Sequence, residues 1–501
     1  MLVKELRQGM RSPIFVWGLI SMNLFLAGVV WLTMNAPEEM ELHMAFFGGF
    51  CALVCGLLPL RAAGALHDEL RGNTIDTLIL TRLTGWRITL GKWVAVVAQQ
   101  ILATVTVLPY LIVRYFVGGV NLPMELLWLG IFLLIGMGSA AILTGLSWIK
   151  YFLFRAAIMM GVTFIILGFC LGQIFTLFGF QRRYLLEDMF VWENWLPLAL
   201  VVVPWVYLGF FTLDLGASKV GALVENRSLR RRVVGLAVVL FYGAAIWHGM
   251  LSASFPTAGS VVVSASLLGT VTVLMLALQA LLERPLNLPV VVLPMVRRGL
   301  LGRLAGRFFY PGWPAGVCYI GALLGLVAGG FGYAMAHPPL GSSTSVLGEM
   351  TPVKIARIVV SLGASVGMLP IPLVLWQFFF RRRLRWHLGT YVLLMGAVLA
   401  LMFLVTVGAP SSQPGLLKLG LPIPGMGVTW LAHSWEGVPS WQTYRPEPSL
   451  DWGYFTIAGI TATTSVLWWL VAVLLAQRAF RETRVVEAEV GAMLAARGTS
   501  S

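Results

Sequence analysis

Charge is scarce in this chain: Asp, Glu, Lys and Arg supply 11% of its 501 residues, against 58% hydrophobic residues and a mean hydropathy of +0.85. That excludes an ordinary soluble globule, which draws about a quarter of its residues from the charged types and needs them to cover its surface. Cysteine is scarce as well. Cys51, Cys55, Cys170 and Cys318 all lie inside apolar runs, which excludes a disulfide framework and leaves packing as their usual role. Cys51 and Cys55 share a helix face, yet no His or carboxylate neighbours them, so they read as a packed pair and no metal is expected. Acidic residues are outnumbered, 21 against 35 basic ones, and the resulting net charge of +14 would suggest nucleic acid in a soluble protein.

What the chain has instead is apolar length. Runs near the twenty residues that cross a bilayer core read at 14–33, 42–60, 93–113, 125–147, 156–179 and 195–215, then at 233–250, 260–282, 315–335, 358–380, 388–409 and 454–476. The expectation is an all-α integral membrane protein with about twelve transmembrane helices. The first run follows Lys4, Arg7 and Arg11 like a signal peptide, but its length and the missing small-residue cleavage site make it a retained span. Ahead of it, Leu2, Val3, Leu6 and Met10 alternate with these cations as a basic amphipathic lead-in suited to an anionic leaflet, ending at Pro13.

Orientation follows from where the cations fall. With the N-terminus in the cytoplasm, the inside segments hold 28 of the 35 Lys and Arg, and the outer ones hold seven: Arg114, Arg182, Arg183, Lys354, Arg357, Lys418 and Arg445. Both termini are then cytoplasmic, and the net charge is a topology signal that needs no nucleic acid.

The stretch 69–92, ELRGNTIDTLILTRLTGWRITLGK, is charged and amphipathic between two such runs. Asn73 can cap a helix start, with Asp76 reaching back to the free amides. Ile75, Leu78, Ile79 and Leu83 recur on one side while Asp76, Thr77 and Thr81 fall elsewhere, and Gly85 is a natural stop. A short surface helix results.

The order Glu69, Arg71-Gly72, Thr74-Ile75-Asp76, Leu78-Ile79-Leu80-Thr81, then Ile88 and Gly91-Lys92, resembles the coupling segment of ABC-2 type transporter permeases. Arg82 departs from the pattern, since the family often has proline there. The resemblance is closest over residues 1 to about 115 and weaker to about 232. It implies a permease-like six-helix core at 1–232 with a coupling helix at 69–84 that docks into a separate ABC ATPase subunit. Glu69, Arg71, Thr74, Ile75, Asp76, Leu78, Ile79 and Thr81 would carry the coupling. It implies also a homodimer or a second permease subunit, a plasma or inner membrane location, and no cofactor or catalytic residue in this chain. Residues 233–501 form a second six-helix membrane region, either a degenerate duplicate or an appendage. A basic stretch, 218–232, precedes the seventh run much as 1–13 precedes the first, but the inside loop 283–314 does not repeat the coupling sequence.

Other motifs fail on context. The nearest approach to a phosphate-cradling loop, Gly85 to Trp93, has one residue too many and Trp93 in place of the hydroxyl, so ATP hydrolysis would belong to a partner. Gly363, Ser365 and Gly367 satisfy G-x-S-x-G inside a span, where small residues let helices approach. The ladder Gly321, Gly325, Gly329 reads the same way. The alternative function is an ion-coupled carrier of the major facilitator type. Gly64 to Gly72 approximates its loop signature, but Glu69 stands where a basic residue is expected, and no carboxylate or His lies at mid-depth. The deeper polar groups Asn23, Gln99, Gln100 and Gln173 are candidates for a pathway lining or for interhelical hydrogen bonding. Two outer connections, 181–195 and 410–453, are rich in aromatic residues and suit the membrane interface.

Overall fold

The computed structural model describes residues 2–35, 40–67, 84–117, 122–149, 152–179, 195–220, 227–251, 258–283, 285, 288–336, 360–361, 363–380, 388–408, 420, 422–432 and 453–498. Every regular element among them is helical. Nine helices in these residues are long and apolar enough to cross a membrane. The protein is an all-α, multi-pass membrane protein. The chain divides into two compact units, 1–225 and 226–501.

The first unit opens with α1 (Leu2–Met10), the amphipathic lead-in, and α2 (Pro13–Asn35). Ser12 makes the junction. Its hydroxyl donates to Gly9 O at 3.0 Å and accepts from Phe15 N at 3.4 Å, so it caps the helix that Pro13 begins. Pro13 therefore opens a helix, where the sequence pattern had it only closing one. α2 buries Phe15, Met22, Leu26, Val29 and Val30 on one stripe, while Trp17, Leu24 and Trp31 face outward. Large apolar side chains on the outside are what lipid requires.

Five more candidate spans follow in this unit: Glu41–His67, Gly85–Val117, Leu122–Leu146, Arg155–Gly172 and Ala199–Val220. The first of them contains α3 (Met40–Cys51), a π turn (Ala52–Leu57) and α4 (Leu58–Arg61). The others belong to α5 (Gly85–Val117), α6 (Leu122–Leu146), α7 (Phe152–Gly179) and α8 (Trp195–Val220). Gly85 opens α5, and the segment it was expected to stop lies outside the described residues. The amide of Ile88 reaches Thr84 O at 3.2 Å and that of Arg87 reaches the Thr84 hydroxyl at 3.4 Å, so Thr84 is the cap. Between α6 and α8 the backbones nearly touch: a Cβ on Gly145 would collide with the backbone of Thr212, and one on Gly216 would lie 2.7 Å from Gly145 O. Small residues at this crossing replace the side-chain layer that separates most helix pairs.

In the second unit the runs at 233–250, 260–282 and 315–335 fall within α9 (Arg227–Leu251), α10 (Ala258–Leu282) and α13 (Trp313–Ala336). The candidate spans here are Gly363–Phe380, Leu388–Val405 and Phe455–Ala496. The last lies in a single helix of 45 residues, Tyr454–Gly498, close to 70 Å at about 1.5 Å per residue. A bilayer core takes up about 30 Å, so much of this helix runs beyond the hydrocarbon. The loop between α10 and α13 holds α11 (Pro289–Val296) and α12 (Gly299–Phe309), hinged at Gly299 with φ +72°. Arg232 anchors the loop, donating to Phe308 O at 2.6 Å, Tyr310 O at 2.9 Å and the Glu283 carboxylate at 2.6 Å. Tyr310 donates to Glu487 on the long helix at 2.8 Å, and burial followed by that carboxylate pushes its phenol above the usual range.

The two small-residue ladders part company. Gly363 and Gly367 do face another helix, meeting Thr461 and Ser465, and the Ser465 hydroxyl donates to Gly363 O at 2.8 Å. Ser365 is exposed and bonds its own helix at Ser361 O, 2.8 Å away. Gly321 and Gly325, by contrast, have no described atom within 4 Å of where a Cβ would stand, so they form no packing face within these residues. A repeat of small residues permits close approach but supplies no partner.

Candidate functional site

The coupling residues expected from sequence, Glu69, Arg71, Thr74, Ile75, Asp76, Leu78, Ile79 and Thr81, lie outside the described residues. Both flanks of that segment are described, and both are fixed to the bundle. On the leading side, Leu66 is fully buried and its amide donates to the Ser147 hydroxyl at 3.0 Å, tying the end of the second span to the end of α6. On the trailing side, Ile88 is fully buried, the Trp86 ring sits 5.8 Å from that of Phe210, and the Trp93 indole donates to Met137 O at 3.0 Å.

α1 lies across the same end. Arg61, the last residue of α4, donates through Nη1 to Gly9 O at 2.6 Å and to Gln99 Oε1 at 2.7 Å. One guanidinium thereby joins α1, α4 and α5. Lys92, one α5 heptad before Gln99, lies 3.3 Å from Glu5 and is buried, its partner more exposed. A Cβ on Gly9 would collide with the Gln99 amide, so a larger residue there has to displace that side chain. Sequence reasoning marked α1 as a membrane-surface helix and missed this seat; a glycine interrupting an otherwise good amphipathic pattern was the available signal.

Gln100 makes a second tie, one residue on. Its Nε2 donates to Val54 O at 2.8 Å and to Gly136 O at 2.9 Å, linking the π turn, α5 and α6. Pro59 is the cause. In the π turn the Leu58 amide bonds back to Leu53 O, and the amide that would reach Val54 O at five-residue spacing belongs to Pro59, which has none. Val54 O therefore needs a donor from another helix. Ser139 Oγ approaches Cys55 O at 3.5 Å in the same region. Gln100 Oε1 is buried and lacks a hydrogen-bond partner among the described residues.

At the far end of the same helices is a buried ionic group. Arg114 Nη1 lies 3.3 Å from Glu125, His43 Nδ1 lies 2.6 Å from Arg114 Nη2 and 3.5 Å from Glu125 Oε1, and the guanidinium sits 4.4 Å from the Phe46 ring centroid. Arg114 is fully buried, so pairing and the aromatic face replace water around it.

Of the other expected pathway residues, Asn23 donates to Leu19 O of its own helix at 2.7 Å, and Gln173 lies in α7 with its side chain outside the described residues. Asn23 thus bonds within its own helix, while Gln99 and Gln100 bond across to neighbouring helices. The one set of side chains among the described residues disposed like metal ligands is Cys51, Cys55 and Cys170, whose sulfur atoms lie within 4.8 Å of one another.

Comparison of the chain with family models, with curated proteins and with solved structures gives no match.

Proposed function

We propose that this chain is the permease subunit of an ABC-2 type transporter, crossing the plasma or inner membrane twelve times with both termini in the cytoplasm. ATP hydrolysis takes place in a separate ATPase subunit, whose stroke enters through residues 69–84, and the functional particle contains two permease halves. The observation that carries the reading is the sequence pattern of 69–92 together with the anchoring of its two flanks. A segment whose ends were loosely held would absorb a push by local rearrangement. Here one flank is held through Leu66 and the other through Ile88, Trp86 and Trp93, so a load applied between them passes to the helices. The distribution of Lys and Arg supports the orientation.

The ion-coupled alternative needs a titrating or coordinating group at mid-depth. Among the described residues of the first unit, the buried charged side chains Lys92, Arg114, Glu125 and Asp214 all lie within the terminal two turns or so of their helices. That supports the ATPase-driven reading.

A photo-reactive residue at position 77 tests it in living cells. The expected adduct contains a nucleotide hydrolase, and Asp76→Arg or Leu78→Asp is expected to abolish partner-stimulated transport while insertion stays normal. Normal ATPase stimulation by either variant would remove the coupling role.

A further inference from the structure

We propose that Cys51, Cys55 and Cys170 form a binding site for a thiophilic monovalent cation, copper(I), with silver(I) as its redox-inert analogue. The site stands apart from the transport reading and needs no ATPase.

Two observations meet at these sulfurs. The first is convergence. Cys170 belongs to α7 and comes 115 residues after Cys55, yet all three Sγ atoms lie within 4.8 Å of one another and all three residues are fully buried. The second is the backbone between the first two. The π turn starts immediately after Cys51 and contains Cys55. A π turn takes more residues per revolution than an α turn, so a residue four positions on comes closer to standing directly over the first. Such turns are uncommon and recur at functional sites.

The surroundings select the ion. Among the described residues no Asp, Glu or His joins the group, which disfavours hard, oxygen-seeking cations. The rest of this core is apolar: Phe46, Phe47, Phe50, Val54, Leu58 and Phe132 among others. In such a medium an uncompensated charge is expensive, so the loaded site has to be neutral. Zinc with three thiolates would leave one negative charge and an empty fourth position. A monovalent cation avoids both problems. It binds one thiolate and two neutral thiols: one S–H bond breaks, one thiolate–metal bond and two dative sulfur–metal bonds form, and one proton leaves to bulk water with the ion's former ligands. No electrons change hands. Cys55 is suited to stay protonated, since its Sγ already donates to Phe132 O at 3.3 Å.

Distances agree. Sulfurs at about 2.3 Å from a central metal in a plane stand about 4 Å apart, within the spread seen here. Two thioethers share the same core, Met22 buried and Met44 partly buried. Met44 precedes Cys51 by two helical turns on the same side of α3, toward the end that carries His43, and so offers soft ligands along an approach.

The test uses the full chain purified in detergent, reduced and free of oxygen, titrated with silver(I) or copper(I) against a chelator of known affinity. One equivalent is expected, with X-ray absorption of the copper(I) form showing a shell of three sulfurs at about 2.3 Å. Cys170→Ala is expected to weaken binding at least 100-fold, while Cys318→Ala, in the other unit, leaves it unchanged. Cys55→Ala and the absorption spectrum of the unaltered protein decide the matter if Cys170→Ala fails to fold. Absence of stoichiometric binding, a shell of nitrogen or oxygen, or undiminished affinity in Cys170→Ala or Cys55→Ala would overturn the site.

Discussion

Replacing Gln100 by Leu tests the account of the polar interior most directly. The substitution removes two hydrogen bonds, at 2.8 Å to Val54 O and 2.9 Å to Gly136 O. Their loss is unequal. Gly136 O also accepts from Ser139 Oγ at 2.7 Å, whereas Val54 O faces the missing amide of Pro59. Interhelical hydrogen bonds in membranes average about 0.6 kcal/mol and reach about 1.7 kcal/mol, so the pair sets a range of about 1 to 3 kcal/mol. Removing Gln100 also relieves its own buried, unpartnered Oε1, which places the expected loss toward the lower end, about 1 to 2 kcal/mol. Pro59→Ala supplies the diagnostic. It restores an amide that lets the helix satisfy its own carbonyls, so in that background Gln100→Leu should cost about 1 kcal/mol less. The assay is reversible unfolding of the four proteins of the cycle in mixed micelles. Equal costs of Gln100→Leu with and without Pro59 would refute the reasoning, because the tie would then owe nothing to the proline.

Two further outcomes follow from the ends of the same helices. Gly9→Leu places a side chain where the Gln99 amide sits, so α1 should leave its seat; cysteines introduced along α1 are then expected to become reactive to an aqueous thiol reagent, with the protein still inserted. Arg114→Met leaves the buried Glu125 without its guanidinium and is expected to cost about 3 to 5 kcal/mol in unfolding measurements, whereas Arg114→Met combined with Glu125→Leu should recover most of that loss.

The class of fold was legible because it depends on properties that add along the chain. Apolar length and the scarcity of charge state that helices cross a bilayer, and every one of the twelve runs contains a helical segment among the described residues. What was illegible depends on pairs distant in sequence. Arg61 and Gln99 are 38 positions apart, Arg61 and Gly9 52, and nothing local to any of them names the other two. The same holds for Cys170, which turns a packed pair into a group of three. Pro59 was within reach: a proline inside an apolar run announces a carbonyl without its amide, and only the identity of the donor had to wait for the structure. Gly321 and Gly325 show the opposite failure. Their spacing allowed a close crossing, but spacing states a permission, and no described helix takes it up.

The three polar ties bear on how a load entering near residues 68–83 would travel. They lie along one pair of helices: Arg61 with Gln99 at the near end, Val54 with Gln100 at the π turn, and His43 with Arg114 and Glu125 at the far end. A pair joined at one end alone can scissor, but a pair joined at three heights can bend or shear only by breaking a buried hydrogen bond or ion pair, at about 1 kcal/mol or more each. The π turn, which would otherwise be the place for α3 and α4 to flex, is the point where Gln100 holds them. Displacement of this pair as a unit is therefore cheaper than deformation within it. The same ties commit half of each amide, Gln99 Oε1 and the Gln100 amide nitrogen, to holding helices together, so a cargo could reach those atoms only by undoing the contacts that keep the pair rigid.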